Sequence, residues 1–317
     1  MLAKQSLEAA QEIVYSAMAP TPQYAWPLLA EAAGCTVIAK HENHTPTGAF
    51  KVRGGLVHMR RLAEAGERQG VITATRGNHG QSIPFAGARE GIASTVLVPH
   101  GNSREKNAAM RAWGATLIEH GADFDEARLE AGRIAAERGL SFIGPFNENI
   151  VQGVSTCPAE LHRAFPDVDV IYVPIGCGSG ICANILVRDL VGSRADVVGV
   201  VAEGADAYAQ SFAAHRTIET AAAQTVADGC AVRVPVPEAL DIIWKGAARV
   251  ITVSDDEIRE AIRLIYRATH NVAEGAGAIA LAGLMSERDR LAGKTAAFIL
   301  CGGNIDTDLF AAILRKQ

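Results

Sequence analysis

The sequence runs to 317 residues, 49% of them hydrophobic and 21% charged, an ordinary globular balance with enough chain for two packed lobes around a large core. A net charge of -5 and an isoelectric point near 6.0 exclude the basic face that nucleic acid requires and the polybasic surface that anionic membranes attract, which leaves a small molecule as the expected partner. Six cysteines with no C-x-x-C pair fit neither a disulfide framework nor a zinc site and read as reduced, mostly buried thiols.

From the N-terminus, Met1–Ala19 carries Lys4, Glu8 and Glu12 among its apolar positions and so lacks the layout of a secretory leader. No stretch reaches the roughly 18 uncharged apolar residues of a membrane span, and a cytoplasmic location is expected. Short β-branched runs at Thr36–Ala39, Val71–Ala74, Thr95–Val98, Thr116–Ile118, Val170–Val173, Val197–Val201 and Ala297–Leu300 read as buried strands, with helix-length segments between them. Parallel strands need such connecting elements, so the expected fold class is α/β, with a mostly parallel sheet covered by helices. The stretch from about Gly70 to Gly144 holds a strand and helix series of its own, and no linker sets it apart. The expected division is therefore a small domain of residues 70–147 inserted in a large one of residues 1–69 and 148–317. Ser254-Asp255-Asp256-Glu257 spells a capping box that opens a helix with Ile258, Ile262 and Ile265 on one face.

Four segments carry residues suited to chemistry. In the first, Asn43 to Gly55, a turn-forming run leads into Lys51 and a helical pattern. On residue type alone Lys51 is a solvated charge, whereas at a buried loop-to-helix junction its desolvated amine is a carbonyl-trapping nucleophile. The second, Thr75-Arg76-Gly77-Asn78-His79-Gly80-Gln81, follows a strand and precedes a helix; it is either a capped loop or a set of donors for a carboxylate or phenolate oxygen. The third, Gly176-Cys177-Gly178-Ser179-Gly180, lies between an apolar strand and a helix start, where small residues make either an ordinary turn or a phosphate cradle. It lacks the third glycine of a dinucleotide fingerprint, that position being Ile181, and it lacks a P-loop ending. The fourth, Cys301-Gly302-Gly303-Asn304, falls at the C-terminal end of a strand, where open α/β sheets bind ligands.

In this order the four segments resemble the fold-type II pyridoxal-phosphate enzymes, of tryptophan synthase β-like fold with two lobes, and in particular the group of serine/threonine dehydratases, serine racemases and hydroxyaspartate dehydratases. The resemblance extends over nearly the whole chain. Ala49-Phe50-Lys51-Val52-Arg53-Gly54 looks like the family's Ser-Phe-Lys-x-Arg-Gly signature, which makes Lys51 the Schiff-base lysine and Phe50 its neighbour beneath the cofactor ring. Val52, where the synthases of this fold carry aspartate, points to the dehydratases. Asn78 matches the asparagine at the cofactor's 3-hydroxyl, and Thr75, Gly77 and His79 match the loop around the substrate carboxylate. Gly176, Cys177, Gly178, Ser179 and Gly180 resemble the phosphate cradle, Glu274 the glutamate beside the pyridine ring, and Cys301 the residue facing the ring nitrogen. The resemblance implies pyridoxal 5'-phosphate as cofactor, a homodimer, and an ammonia-lyase that removes water and then ammonia from a β-hydroxy-α-amino acid of the L-threonine or L-serine type. In that reaction Lys51 is also the base that takes the Cα proton.

The chain departs from the family at three places. Arg76 stands where serine racemases carry serine, which weakens a racemase reading; an arginine there either points to solvent, pairs with a protein carboxylate, or binds a second substrate carboxylate, as in 3-hydroxyaspartate. Glu203 matches one ligand of a divalent cation found in some relatives, but the second position is Ala209, so no metal is expected. Little chain follows Cys301, so a regulatory domain with end-product feedback is not expected. The substrate side chain stays open among threonine, serine, 3-hydroxyaspartate and phenylserine, and Tyr24, Trp26 and Trp244 either line its pocket or pack the core. A racemase, a β-replacement synthase and a non-catalytic cofactor-binding protein are the competing classes.

Overall fold

The computed structural model describes residues 2–316. Its strands, in chain order, are β1 (Gln23–Ala25), β2 (Thr36–His41), β3 (Val71–Ala74), β4 (Ser94–Val98), β5 (Thr116–Glu119), β6 (Ser141–Phe142), β7 (Val170–Pro174), β8 (Asp196–Ala202), β9 (Arg249–Val253) and β10 (Thr295–Leu300). All seven β-branched runs expected from the sequence are strands. The other three, β1, β6 and β9, are edge strands, and the first two are too short to show a period of two. The fold is α/β, as the alternation of strands and helices predicts.

Six strands form one sheet in the order β1-β2-β10-β7-β8-β9, parallel except for β1, and four form a second, wholly parallel sheet in the order β5-β4-β3-β6. The second sheet comes entirely from the chain between Val71 and Phe142, and the first from both flanks. Inserting β10 between β2 and β7 brings both ends of the chain together. The C-terminal ends of β2, β10 and β7 lead into the segments that hold Lys51, Cys301 and Gly176–Gly180, and β3 of the second sheet leads into Thr75–Asn78.

The helix Lys51–Glu64 is held unusually close to its neighbours. A Cβ on Gly55 would lie 2.1 Å from Ser82 Oγ, on the helix Asn78–Glu90, and a Cβ on Gly153 would lie 2.3 Å from the Arg53 carbonyl oxygen. Behind the first turn of the same helix, Arg53 is fully buried in a charge-balanced network. Its Nε is 2.7 Å from Glu42 Oε2 and its Nη1 2.7 Å from Glu160 Oε1, while Lys40 Nζ is 2.5 Å from Glu160 Oε2. Two cations and two carboxylates thus neutralise one another where water cannot reach them. Ser254 caps the helix Asp255–Thr269 with its hydroxyl and Glu257 closes the box, with Ile258, Ile262 and Ile265 buried below. The six cysteines are free, and among the described residues no helix is long and apolar enough to cross a membrane.

Candidate active site

The C-terminal strand ends open on a cleft of about 690 Å³, lined by Phe50, Lys51, Thr75 to His79, Gly176 to Gly180 and Cys301 together with residues from the start of the helix Phe124–Arg138 and from the segment 221–237. Every site residue expected from the sequence therefore faces one space except Glu274, which is buried behind Asn78. Lys51 opens its helix. Its Nζ lies 3.5 Å from Ser179 Oγ and 5.0 Å from the centre of the Phe50 ring. The peptide before it is tied to the far end of the chain, since Phe50 N donates to the Cys301 carbonyl at 2.9 Å and Ala49 bridges Gly302.

Opposite Lys51, the chain leaves β7 and enters the helix Ser179–Leu190 through a loop with no room for side chains at two glycines. A Cβ on Gly176 would lie 2.4 Å from the Gly229 carbonyl oxygen, and Gly178 has φ +94° with its Cβ direction blocked at 2.5 Å by Ala239. What faces the cleft there is backbone, including first-turn N–H groups that have no carbonyl partner within the helix.

The third wall is the start of the helix Asn78–Glu90. Thr75 Oγ1 accepts from Gly77 N at 3.0 Å, which fixes the loop before it. Asn78 donates to Glu274 Oε1, and its Oδ1 accepts from Asn304 Nδ2 at 2.8 Å. His79 is neutral: burial first, and then the Lys51 ammonium, push its pKa down to about 3. Cys301 donates its thiol proton to the Ala276 carbonyl at 3.1 Å, and burial holds the thiol well above its ordinary pKa, so it carries no charge. Arg76 is exposed, lines the cleft, and makes no ion pair or side-chain hydrogen bond with the described residues.

Sequence reasoning missed two further features. Lys106, on the helix Arg104–Ala112, reaches the cleft and pairs with Asp228 at 2.7 Å and with Glu274 at 3.2 Å; two carboxylates raise its pKa despite its burial. Arg233 pairs with Asp125 across the mouth of the cleft. Nothing local marked either one, because both stand in ordinary charged surroundings along the chain. Tyr24, Trp26 and Trp244 do not line the cleft; Trp26 donates to His41 Nε2 at 2.9 Å and Trp244 to the Ser211 carbonyl at 3.1 Å. Among the described residues no group of three or more His, Cys, Asp or Glu side chains is placed to hold a metal ion.

Residues 14–302 match the family described as pyridoxal-phosphate dependent enzyme. The chain belongs to that family. It is 31% identical to an L-threonine ammonia-lyase of Thermotoga maritima over 100% of this chain and 79% of the other. The processed form of threonine deaminase isoform 2 from Solanum lycopersicum has a TM-score of 0.91 at 25% identity, covering 99% of this chain and 94% of that one. Maize serine racemase has a TM-score of 0.91 at 25% identity, covering 98% and 96%. The cleft suits pyridoxal phosphate: the excluded Cβ positions at Gly176 and Gly178 leave a helix start open to a phosphate, and a lysine stands across from it.

Proposed function

We propose that the chain is a pyridoxal-phosphate-dependent ammonia-lyase that converts a small β-hydroxy-α-amino acid of the threonine or serine type to a 2-oxo acid and ammonia, with Lys51 as its catalytic residue. The observation that carries this reading is the approach of Lys51 Nζ to within 3.5 Å of Ser179 Oγ, between a glycine-built helix start and Asn78. When bound, pyridoxal phosphate supplies an aldehyde that captures amines and a ring that draws electrons from Cα.

Each wall has its part. The backbone of Gly176, Cys177, Gly178, Ser179 and Gly180 would hold the phosphate, Phe50 would pack under the ring, and Asn78, steadied by Glu274, would donate to the ring oxygen. Cys301, a neutral thiol, would face the ring nitrogen and leave it without a proton, which would favour prompt loss of a β-group over a long-lived carbanion. Thr75, Gly77 and His79, at the start of a helix, orient the substrate carboxylate. Lys51 takes the Cα proton, the β-hydroxyl leaves as water, and hydrolysis of the product releases ammonia.

A second reading, a substrate that bears a further carboxylate, is favoured by the unpaired guanidinium of Arg76 inside the cleft. We further propose a smaller lobe of residues 70–147 set into the rest, a homodimer, and a cytoplasmic location. The decisive experiment supplies the holoenzyme with stereoisomers of serine, threonine, 3-hydroxyaspartate and phenylserine and follows 2-oxo acid and ammonia. Inversion of serine that outpaces its elimination would replace the lyase with a racemase. Inertness toward all of them, with cofactor bound, would leave a cofactor-binding protein.

A further inference from the structure

The reaction outlined above leaves Lys106 without a task. Its ammonium stands 2.7 Å from Asp228 Oδ2 and 3.2 Å from Glu274 Oε2, and Glu274 is only 2% exposed. Through its other oxygen Glu274 accepts from Asn78, whose own oxygen accepts from Asn304 Nδ2 at 2.8 Å; Asn304 Nδ2 also donates to the Thr47 carbonyl at 2.9 Å. The direction of this chain is fixed at both ends, because an ammonium can only donate and a backbone carbonyl can only accept. The Asn78 amide then has a single orientation. One N–H is spent on Glu274, the carbonyl on Asn304, and the second N–H is left over at a residue that lines the cleft.

Burial pushes the Glu274 carboxyl above its ordinary pKa and the Lys106 ammonium pulls it back, so a carboxylate this buried keeps its charge only when a cation compensates it. We propose that Lys106 is a positioning residue that holds Glu274 as a carboxylate and so fixes the Asn78 amide with its free N–H toward the cofactor ring. Lys106 and Asn78 belong to the stretch that forms the four-stranded sheet, whereas Glu274, Asp228, Asn304 and Thr47 lie outside it. The alignment is therefore complete only with the two sheets closed over the cleft. Two nearby contacts cross the same seam: Ser103 Oγ donates to Asp306, and Thr307 N donates to Glu105 Oε1 at 3.0 Å. The role rests on the reading that Asn78 contacts the cofactor.

The test is Lys106→Met in the full chain, followed by two readouts besides turnover. One is the dissociation constant for pyridoxal phosphate, titrated into the apoprotein by tryptophan fluorescence. The other is the induced circular dichroism of the bound cofactor, which reports how firmly the ring is held. The expected result is binding weaker by roughly 10- to 100-fold, as for loss of a charged hydrogen bond, with a diminished dichroic band and partial recovery in Lys106→Arg. A residue that only stabilised the fold would lower the unfolding temperature and leave both readouts at their parent values, and that result overturns the proposal. Should Lys106→Met not fold, Glu274→Gln removes the carboxylate charge that Lys106 is proposed to sustain and keeps the shape; unchanged affinity and dichroism there overturn it equally. A parent chain that takes up no cofactor would overturn the reading of the cleft, and this role with it.

Discussion

Lys51 and Ser179 meet in the cleft with Nζ 3.5 Å from Oγ, although 128 residues separate them in sequence. Each opens a helix that follows a strand of the six-stranded sheet, Ser179 after a short turn from β7 and Lys51 after the segment 42–50, whose end is pinned by Phe50 N donating to the Cys301 carbonyl. Lys51→Ala is expected to lower 2-oxo acid release by at least about 10³-fold, because the base is gone, while far-ultraviolet circular dichroism stays that of the parent. Ser179→Ala, which removes only a hydroxyl beside the amine, is expected to cost roughly 10-fold or less. Full turnover in Lys51→Ala would end the proposed chemistry.

The glycine loop offers a comparison between neighbours. Gly178 has φ +94° and a blocked Cβ direction, so Gly178→Ala should cost at least about 1–2 kcal/mol in backbone strain and distort the cradle. A Cβ on Gly180 would meet only Val173 and the Phe50 ring, at 3.7 and 3.8 Å, which is ordinary contact. Cofactor affinity and the thermal midpoint should therefore fall in Gly178→Ala and change little in Gly180→Ala. Equal losses in the two variants would mean that neither the positive φ nor the blocked Cβ direction of Gly178 is what limits this loop.

Much of this arrangement was legible because it is local. The seven strands announced themselves as β-branched runs, the Ser254 cap as a four-residue pattern, and the glycine loop as small residues between a strand and a helix. β9 was missed although Val250, Ile251, Thr252 and Val253 are good strand formers; it is an edge strand with only Val253 buried. Lys106 could not be found along the chain. It sits between Glu105 and Asn107 on a helix that reads as a solvated face, and its meaning comes from Asp228 and Glu274, more than a hundred residues away. Arg53 is similar: its burial depends on Glu42 and Glu160, brought to it by a strand and a distant helix.

Arg53→Met is expected to destabilise the protein by about 3–5 kcal/mol, because two buried carboxylates lose their shared partner. Burial alone would raise the pKa of Glu42, yet Arg53 and Lys40 beside it hold it below its ordinary 4.5. Its contribution is thus complete above pH 4.5 and is lost as acid protonates it. Chemical denaturation at neutral pH measures the first effect, and a loss below about 1 kcal/mol would show that the network is not the buried neutral unit described.

Buried histidines are expected to make stability fall earlier than the carboxylates do, His79 and His41 most of all, with His162 and half-buried His58 also held below the ordinary value by burial. Burial, then Lys51, holds His79 at about 3, and burial, then His44, holds His41 at about 4, both below the ordinary 6.5. As pH drops, the unfolded chain takes these protons first, so the stability present above 6.5 declines from there toward the folded values. The thermal midpoint should fall between about pH 7 and about pH 5, and His79→Gln should flatten part of that decline. A midpoint that is level across this window would show that both rings are free to titrate in the fold.

Arg76 is expected to decide which side chain the cleft prefers. The other cations of the rim have carboxylates of their own: Arg128 and Arg233 share Asp125, and Lys106 has Asp228 and Glu274. Arg76 has none among the described residues, and it immediately precedes the helix start that faces the substrate carboxylate in the proposed reaction. A planar guanidinium in that position would pair with a second carboxylate in bidentate fashion, an interaction that threonine cannot make. The expected outcome is that Arg76→Ala lowers the ratio of kcat/KM for 3-hydroxyaspartate over that for threonine by roughly 10- to 100-fold, the worth of a charged hydrogen bond. Succinate, which cannot react, should raise the thermal midpoint of the parent holoenzyme and not that of Arg76→Ala, which separates recognition from turnover. If the ratio is unchanged and succinate has no effect on the parent, the arginine does not read substrate charge, and the choice of β-hydroxy amino acid must be made by the apolar walls formed by Phe124, Pro145 and the loop at 221–237.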